Sequence, residues 1–320
     1  MSCEQDHASF GLRLARNFRD HSALRDNYAL FGSGALINGQ FFAAVPKGGR
    51  RFALFWIFFE VICFMKGYLA TARMCLVEKS YFGLDFMVGQ YVLKIAAMGA
   101  LIMVWRALYT QGADMGGMTI NQVLVYTILS TFLGPVLNVQ TPASSWLHDG
   151  TMLSLYQRPS TIFGQLIAHT MGGWLMPLGI MLVPMGLVAF FCGVNMRPVD
   201  GWFAVSIVLS IAQGFAVDFL FACLMIRMDG LEWPMYTLRN ALTALFTGSV
   251  IPFAALPWGI GRYLALSPLG TLAGAPLSLY SGLGDPFEII LAQTLWTAAL
   301  WPLAVWCFRL SRERMVSYGG

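Results

Sequence analysis

Apolar residues run through this chain in blocks longer than the core of a water-soluble domain uses. Six blocks stand out, at 84–109, 119–140, 162–192, 202–226, 235–256 and 286–309. A helix that crosses a bilayer needs about 20 largely apolar residues, so each block predicts one transmembrane helix. The stretch RFALFWIFFEVICF at 52–65 is different, because it contains Glu60 and stays apolar for only about 14 positions. Beyond it Met65, Tyr68, Leu69, Ala72 and Leu76 recur at helical spacing, while Lys66, Arg73, Glu78 and Lys79 occupy other faces. That pattern predicts an amphipathic interfacial (elbow) helix in the region 52–83, lying at the membrane surface with its basic side chains at headgroup level.

Polar segments complete the plan. Residues 1–51 form a basic N-terminal arm, in which Phe10, Leu14, Phe18, Leu24, Tyr28 and Phe31 share a helical face and a glycine-rich hinge follows from Gly32 to Gly49. No short apolar core near Met1 precedes a small-residue cleavage site, so no cleaved signal peptide is expected. Six spans return both ends to one side, and the basic arm and the tail with Arg309, Arg312 and Arg314 make that side the cytoplasm. Counting 52–65 as a span would place the arginine-rich arm outside, against the same rule. The connection 141–161 is then a cytoplasmic loop with short helical character. The connection 256–285 is too apolar for a solvated loop and too rich in Gly and Pro for one span. Re-entrant half-helices between spans 5 and 6 satisfy both constraints. The expected fold is an all-α polytopic membrane protein with one membrane domain at 84–320.

Composition narrows the function. Of 320 residues 57% are hydrophobic and only 11% charged, with a mean hydropathy of +0.64. Soluble domains carry about 25% charged residues, so a soluble enzyme, a disordered chain and a nucleic-acid-binding domain are excluded. The six cysteines are scattered, with no CxxC pair and no adjacent histidine, and predict neither a disulfide framework nor a metal site. Charges inside the spans are costly and ask for partners. Lys94 and Asp218 fall at similar depth from the cytoplasmic side and carry opposite signs. They form a candidate intramembrane ion pair, within the chain or across a subunit interface. His148 and His169 are too far apart in sequence to imply a pair.

Four stretches carry a resemblance to a known family. VWRALYTQG closes the first span before a TxxQxxxY opening of the second, with Thr119, Gln122 and Tyr126. Gly150 is followed in the cytoplasmic loop by Arg158-Pro159. FTGSVIPFAALP brings Gly248, Pro252 and Pro257, and Pro268 and Pro276 come after it. The chain ends in RLSRERMVSYGG. In this order, from about Met65 to Gly320, the chain resembles the ABC-2 type permeases, the membrane subunits of ATP-driven exporters.

The resemblance implies a translocation pathway built by two permease subunits, identical or related, in the cell membrane. The energy would come from a separate ATP-binding subunit. No GxxxxGK[ST] phosphate loop occurs, so ATP and Mg would bind that partner and this chain would hold no cofactor and act as no enzyme by itself. The loop at 144–159 resembles the coupling helix that meets the ATPase. Trp146, Leu147, Leu153, Leu155 and Tyr156 would give it an apolar face, with Asp149, Gly150, Arg158 and Pro159 at its ends. Gly248, Pro252, Pro257, Pro268 and Pro276 would shape the outer re-entrant segment. Two alternatives stay open. An ion-driven secondary transporter should show internal inverted repeats and spans broken near the midplane. A membrane-embedded lipid-modifying enzyme should gather acid, base or metal-ligand residues at one depth.

Overall fold

The computed structural model describes residues 66–79, 84–113, 115–148, 151–157, 161–227, 232–256 and 259–318. The N-terminal arm and the 52–65 stretch lie outside them, as do Asp149, Gly150, Arg158, Pro159 and Pro257. Among the described residues the fold is helical, without a strand. A helix over 66–79 (α1) is followed by α2 (Leu84–Thr110), α3 (Ile120–Leu137), α4 (Ala143–His148), α5 (Thr151–Tyr156), α6 (Ile162–Cys192) and α7 (Trp202–Arg227). Then come α8 (Glu232–Phe246), a 3-10 turn (Phe253–Ala255), α9 (Ile260–Ala265), α10 (Gly270–Ser281) and α11 (Pro286–Tyr318).

Five of these helices are long and apolar enough to cross a membrane, over Val88–Thr110, Ile120–Leu137, Ile162–Cys192, Trp202–Arg227 and Pro286–Ser311. They correspond to five of the six predicted spans. Their outward faces confirm the character of the solvent: Leu182, Val183, Phe190 and Phe191 of α6 stand exposed on a helix whose other face is buried. In water such a surface would aggregate, whereas lipid covers it without cost. The architecture is that of a polytopic α-helical membrane protein.

The segment 235–256 departs from expectation. Its helix, α8, has 15 residues and ends at Phe246, a length of about 22 Å against the roughly 30 Å of a hydrocarbon core. Gly248 adopts a positive φ of 69° and stops the helix there. Hydropathy registers the apolar residues beyond but not this break in backbone geometry.

The core forms around α7, which packs against α11, α10, α3, α4 and α8. Phe215, Phe219 and Ala222 of α7 meet Leu166 of α6 and Ala304 and Phe308 of α11. The small helix α1 lies against α6 through Tyr68, Ala72, Cys75 and Lys79. Gly164 and Gly172 permit this contact, since a Cβ on Gly172 would stand 2.2 Å from the Ala72 carbonyl oxygen.

Between α8 and α11 the chain folds into a helical hairpin. The α9 helix runs inward, residues 266–269 turn, and α10 returns. Trp296 donates its indole N–H to the Leu266 carbonyl at 2.8 Å, ten residues or about 15 Å along α11 from Pro286. At the other end Val199 donates to the Tyr280 carbonyl and Gln122 to that of Ser281. The hairpin therefore reaches roughly halfway into the bundle from one end. Nearly all of α10 is buried among α3, α7 and α11.

Candidate functional site

Where α3 ends, the chain must turn towards α4 while carrying backbone groups that the helix no longer satisfies. Two neighbouring helices supply partners. Asp218 of α7 accepts the backbone N–H of Thr141 at 2.9 Å and its hydroxyl on Oδ2. Its Oδ1 lies 3.1 Å from Nη1 of Arg239 on α8. The Nη2 of the same arginine donates to the Val139 carbonyl. Gln140 donates to Asn240 at 2.9 Å and accepts from the Tyr236 hydroxyl. Residues 139–141 are thus stapled by α7 and α8 through a charged clasp, with Asp218 and Arg239 both only 6% exposed.

Burying an ion pair seldom adds net stability, but removing one partner strands the other charge at a cost of about 3–5 kcal/mol. The clasp is therefore a stiff connection whose halves depend on each other. Directly after it Pro142 starts α4, capped by the Pro142 carbonyl accepting from Trp146 N and by Thr141 Oγ1 accepting from Ala143 N. Trp146 sets its ring edge-on to His169 of α6, with centroids 4.8 Å apart. In α5, Met152 and Leu155 turn into the core beside Leu166.

Within the predicted loop helix at 144–159 the described residues form two short helices, α4 and α5. Of its expected docking face, Trp146 is half-buried and Tyr156 is exposed, while Leu155 is committed to the protein's own core. A helix lying on a bundle must bury one apolar face, and sequence alone does not say which. Asp149, Gly150, Arg158 and Pro159, and the side chains of Leu147 and Leu153, lie outside the described residues.

The expected Lys94–Asp218 pair is not made within the chain. Asp218 is taken by Arg239, and Lys94 stands 5.3 Å from the ring centroid of Tyr91. Counting residues along two helices matches their depth, but rotation about the helix axes points Lys94 into a different space. A signal for the true partner is present in the sequence: Arg239 is a charge inside the predicted 235–256 span. Asp218 comes shortly before the end of α7 at Arg227 and Arg239 shortly after the start of α8 at Glu232, so the two fall at similar depth.

Lys94 opens on a cavity of about 590 Å³ between α2, α3 and α8, whose other lining includes Ser130, Thr131, Asn138, Asn240, Thr243 and Thr247. A second cavity of about 790 Å³ lies beside the clasp, bounded by α1, α6, α7 and α8. No group of three or more His, Cys, Asp or Glu side chains among the described residues is placed to hold a metal ion.

The motifs at the start of α3 and around the hairpin have clear physical roles. Thr119 and Gln122 make a reciprocal capping box at the start of α3, and Gln122 also donates to Ser281. Tyr126 donates to the Gly248 carbonyl at 2.6 Å. The TxxQxxxY pattern thereby ties the opening of α3 to both ends of the irregular region. Gly248 and Gly274 leave room for the Phe253 ring, which a Cβ on either would meet at 2.6 or 2.5 Å. Pro252 leads into the 3-10 turn, and Pro268 presents its carbonyl to Gln213 at 2.6 Å. Pro276 lies within α10 and cannot donate to Leu272. The Ser210 hydroxyl supplies a donor to that carbonyl instead. Comparison with protein-family models and with curated proteins gave no match for this chain.

Proposed function

We propose that this chain is the membrane permease subunit of an ATP-driven exporter of the ABC-2 type. The observation that carries the reading is the clasp. A loop at one end of the bundle, built from two short helices, is joined through Thr141 and Val139 to an ion pair between α7 and α8. Force applied to α4 and α5 would reach two neighbouring helices without slack, as a subunit driven from outside the membrane requires.

In this reading a separate ATPase binds ATP and Mg and docks on α4 and α5 from the cytoplasm. Trp146 and Tyr156 would contribute to the contact, with Asp149, Gly150, Arg158 and Pro159 setting its limits. Both termini face the cytoplasm of the cell membrane, with α1 as the interfacial elbow. The α8 helix and the outer hairpin together make the fifth of six crossings. Two permease copies, identical or related, enclose the path. The cavity beside Lys94 supports such a path, since an ammonium group facing lipid is costly and one facing a polar, open space is not.

The test is purification of the tagged chain from native membranes in mild detergent, with identification of bound proteins and an ATP hydrolysis assay. An ATPase should co-purify and be lost when 150–159 is replaced by a glycine-serine linker. A folded chain that arrives alone and without hydrolysis would refute the proposal.

A further inference from the structure

The cavity beside the clasp has a polar corner and an apolar wall. At the corner, the Lys79 ammonium reaches from α1 to α6, so close that a Cβ on Gly173 would stand 2.7 Å from Nζ. His169 lines the same corner. The wall is Trp174, Phe221, Met225 and Trp233. Asp218 and Arg239 also face the cavity, but their charges cancel in the clasp. Lys79 makes no ion pair among the described residues, and Glu78 beside it is exposed and does not line the cavity. With His169 neutral, the side chains that line the cavity sum to one positive charge, while Glu78 stands outside the lining yet near enough to act on His169.

From this juxtaposition we infer that the cavity binds a monoanionic amphiphile. A phosphodiester head would sit at Lys79 and His169, and the start of an acyl chain would lie along Trp174 and Phe221. The charge count selects a monoanion. The aromatic wall selects a molecule with an apolar part over a free ion. Its volume of about 790 Å³ lies within the range of small-molecule sites. A phospholipid of the surrounding bilayer has this chemistry. The same head chemistry could come from free phosphate, which the apolar wall would leave with nothing to cover it. This inference is independent of the exporter reading, since it concerns binding by the chain alone.

The test is thermal unfolding of the full-length protein in a neutral detergent. Phosphatidylglycerol, phosphatidylcholine or inorganic phosphate is titrated in. Phosphatidylglycerol should raise the midpoint in a saturable way, while phosphatidylcholine and phosphate should not. Lys79→Gln should weaken the apparent affinity about tenfold, the usual size of one lost charge-assisted hydrogen bond. Lys66→Gln removes the same charge from the same helix outside the cavity lining and should leave the titration unchanged. Equal stabilisation by phosphatidylcholine would overturn the inference, as would equal stabilisation by phosphate alone. So would an unaltered titration in Lys79→Gln.

Discussion

Two polar clusters hold this apolar bundle together, and they are built on opposite principles. At one end an ion pair, Asp218–Arg239, grips the chain at residues 139–141 and borders a large cavity. Towards the other end Ser206, Ser210, Gln213, Thr271 and Gln293, all neutral and each fully buried, link α7, α10 and α11. Gln293 alone meets the Ser206 hydroxyl at 2.8 Å, the Ser210 hydroxyl at 3.1 Å and the Thr271 carbonyl at 3.0 Å. The neutral cluster spreads its bonds over many partners in a fully buried site, so no single loss releases it. The charged clasp concentrates its strength in two groups, and each is a liability without the other.

The sharpest way to break the contrast is Arg239→Leu. It leaves Asp218 buried and unpaired and should cost about 3–5 kcal/mol, read as a large drop in the unfolding midpoint in detergent. The double variant Arg239→Leu with Asp218→Leu should recover most of that loss. If the double variant is no better than the single one, the two charges are not coupled as described. Next in size is Gly274→Val, which drives side-chain atoms into the Phe253 ring and should cost roughly 1–3 kcal/mol by overpacking. A companion Phe253→Ala change should relieve the clash, and failure to do so would place the strain elsewhere.

In the neutral cluster, Gln293→Leu should cost about 1–3 kcal/mol, the penalty for stranding buried hydroxyl and carbonyl groups. A result as severe as Arg239→Leu would erase the distinction between the two ends. Smallest is Thr119→Val, which removes the capping box of α3 for about 1 kcal/mol. It should appear first as faster amide hydrogen exchange at the start of that helix, with the clasp unaffected.

Much of the architecture is legible in the order of apolar and polar residues. Five of the long apolar blocks form helices at nearly the boundaries that hydropathy predicts, and the Gly/Pro-rich connection forms a helical hairpin. Thr119, Gln122 and Tyr126 carry meaning in their spacing, because a capping box is local and needs no tertiary knowledge. Three features are not legible, for different reasons. The end of α8 depends on a positive φ at Gly248, which a count of apolar residues cannot register. The choice of Arg239 over Lys94 depends on rotation about helix axes, whereas position along a sequence reports only depth. Which face of α4 and α5 turns inward depends on the core cluster around Leu166 and Phe219, assembled from residues distant in the chain.

Pro276 has a consequence for how the α9–α10 hairpin can move. By withholding an N–H it leaves one carbonyl, that of Leu272, open to Ser210 on α7. Sliding α10 along α7 by a single turn, about 5.4 Å, would separate the two and expose an unmet carbonyl to a medium without water. The proline thus works as a register key between helices. Any opening at that end of the molecule has to carry α7 and the hairpin together as one piece, and the gap must form along some other seam.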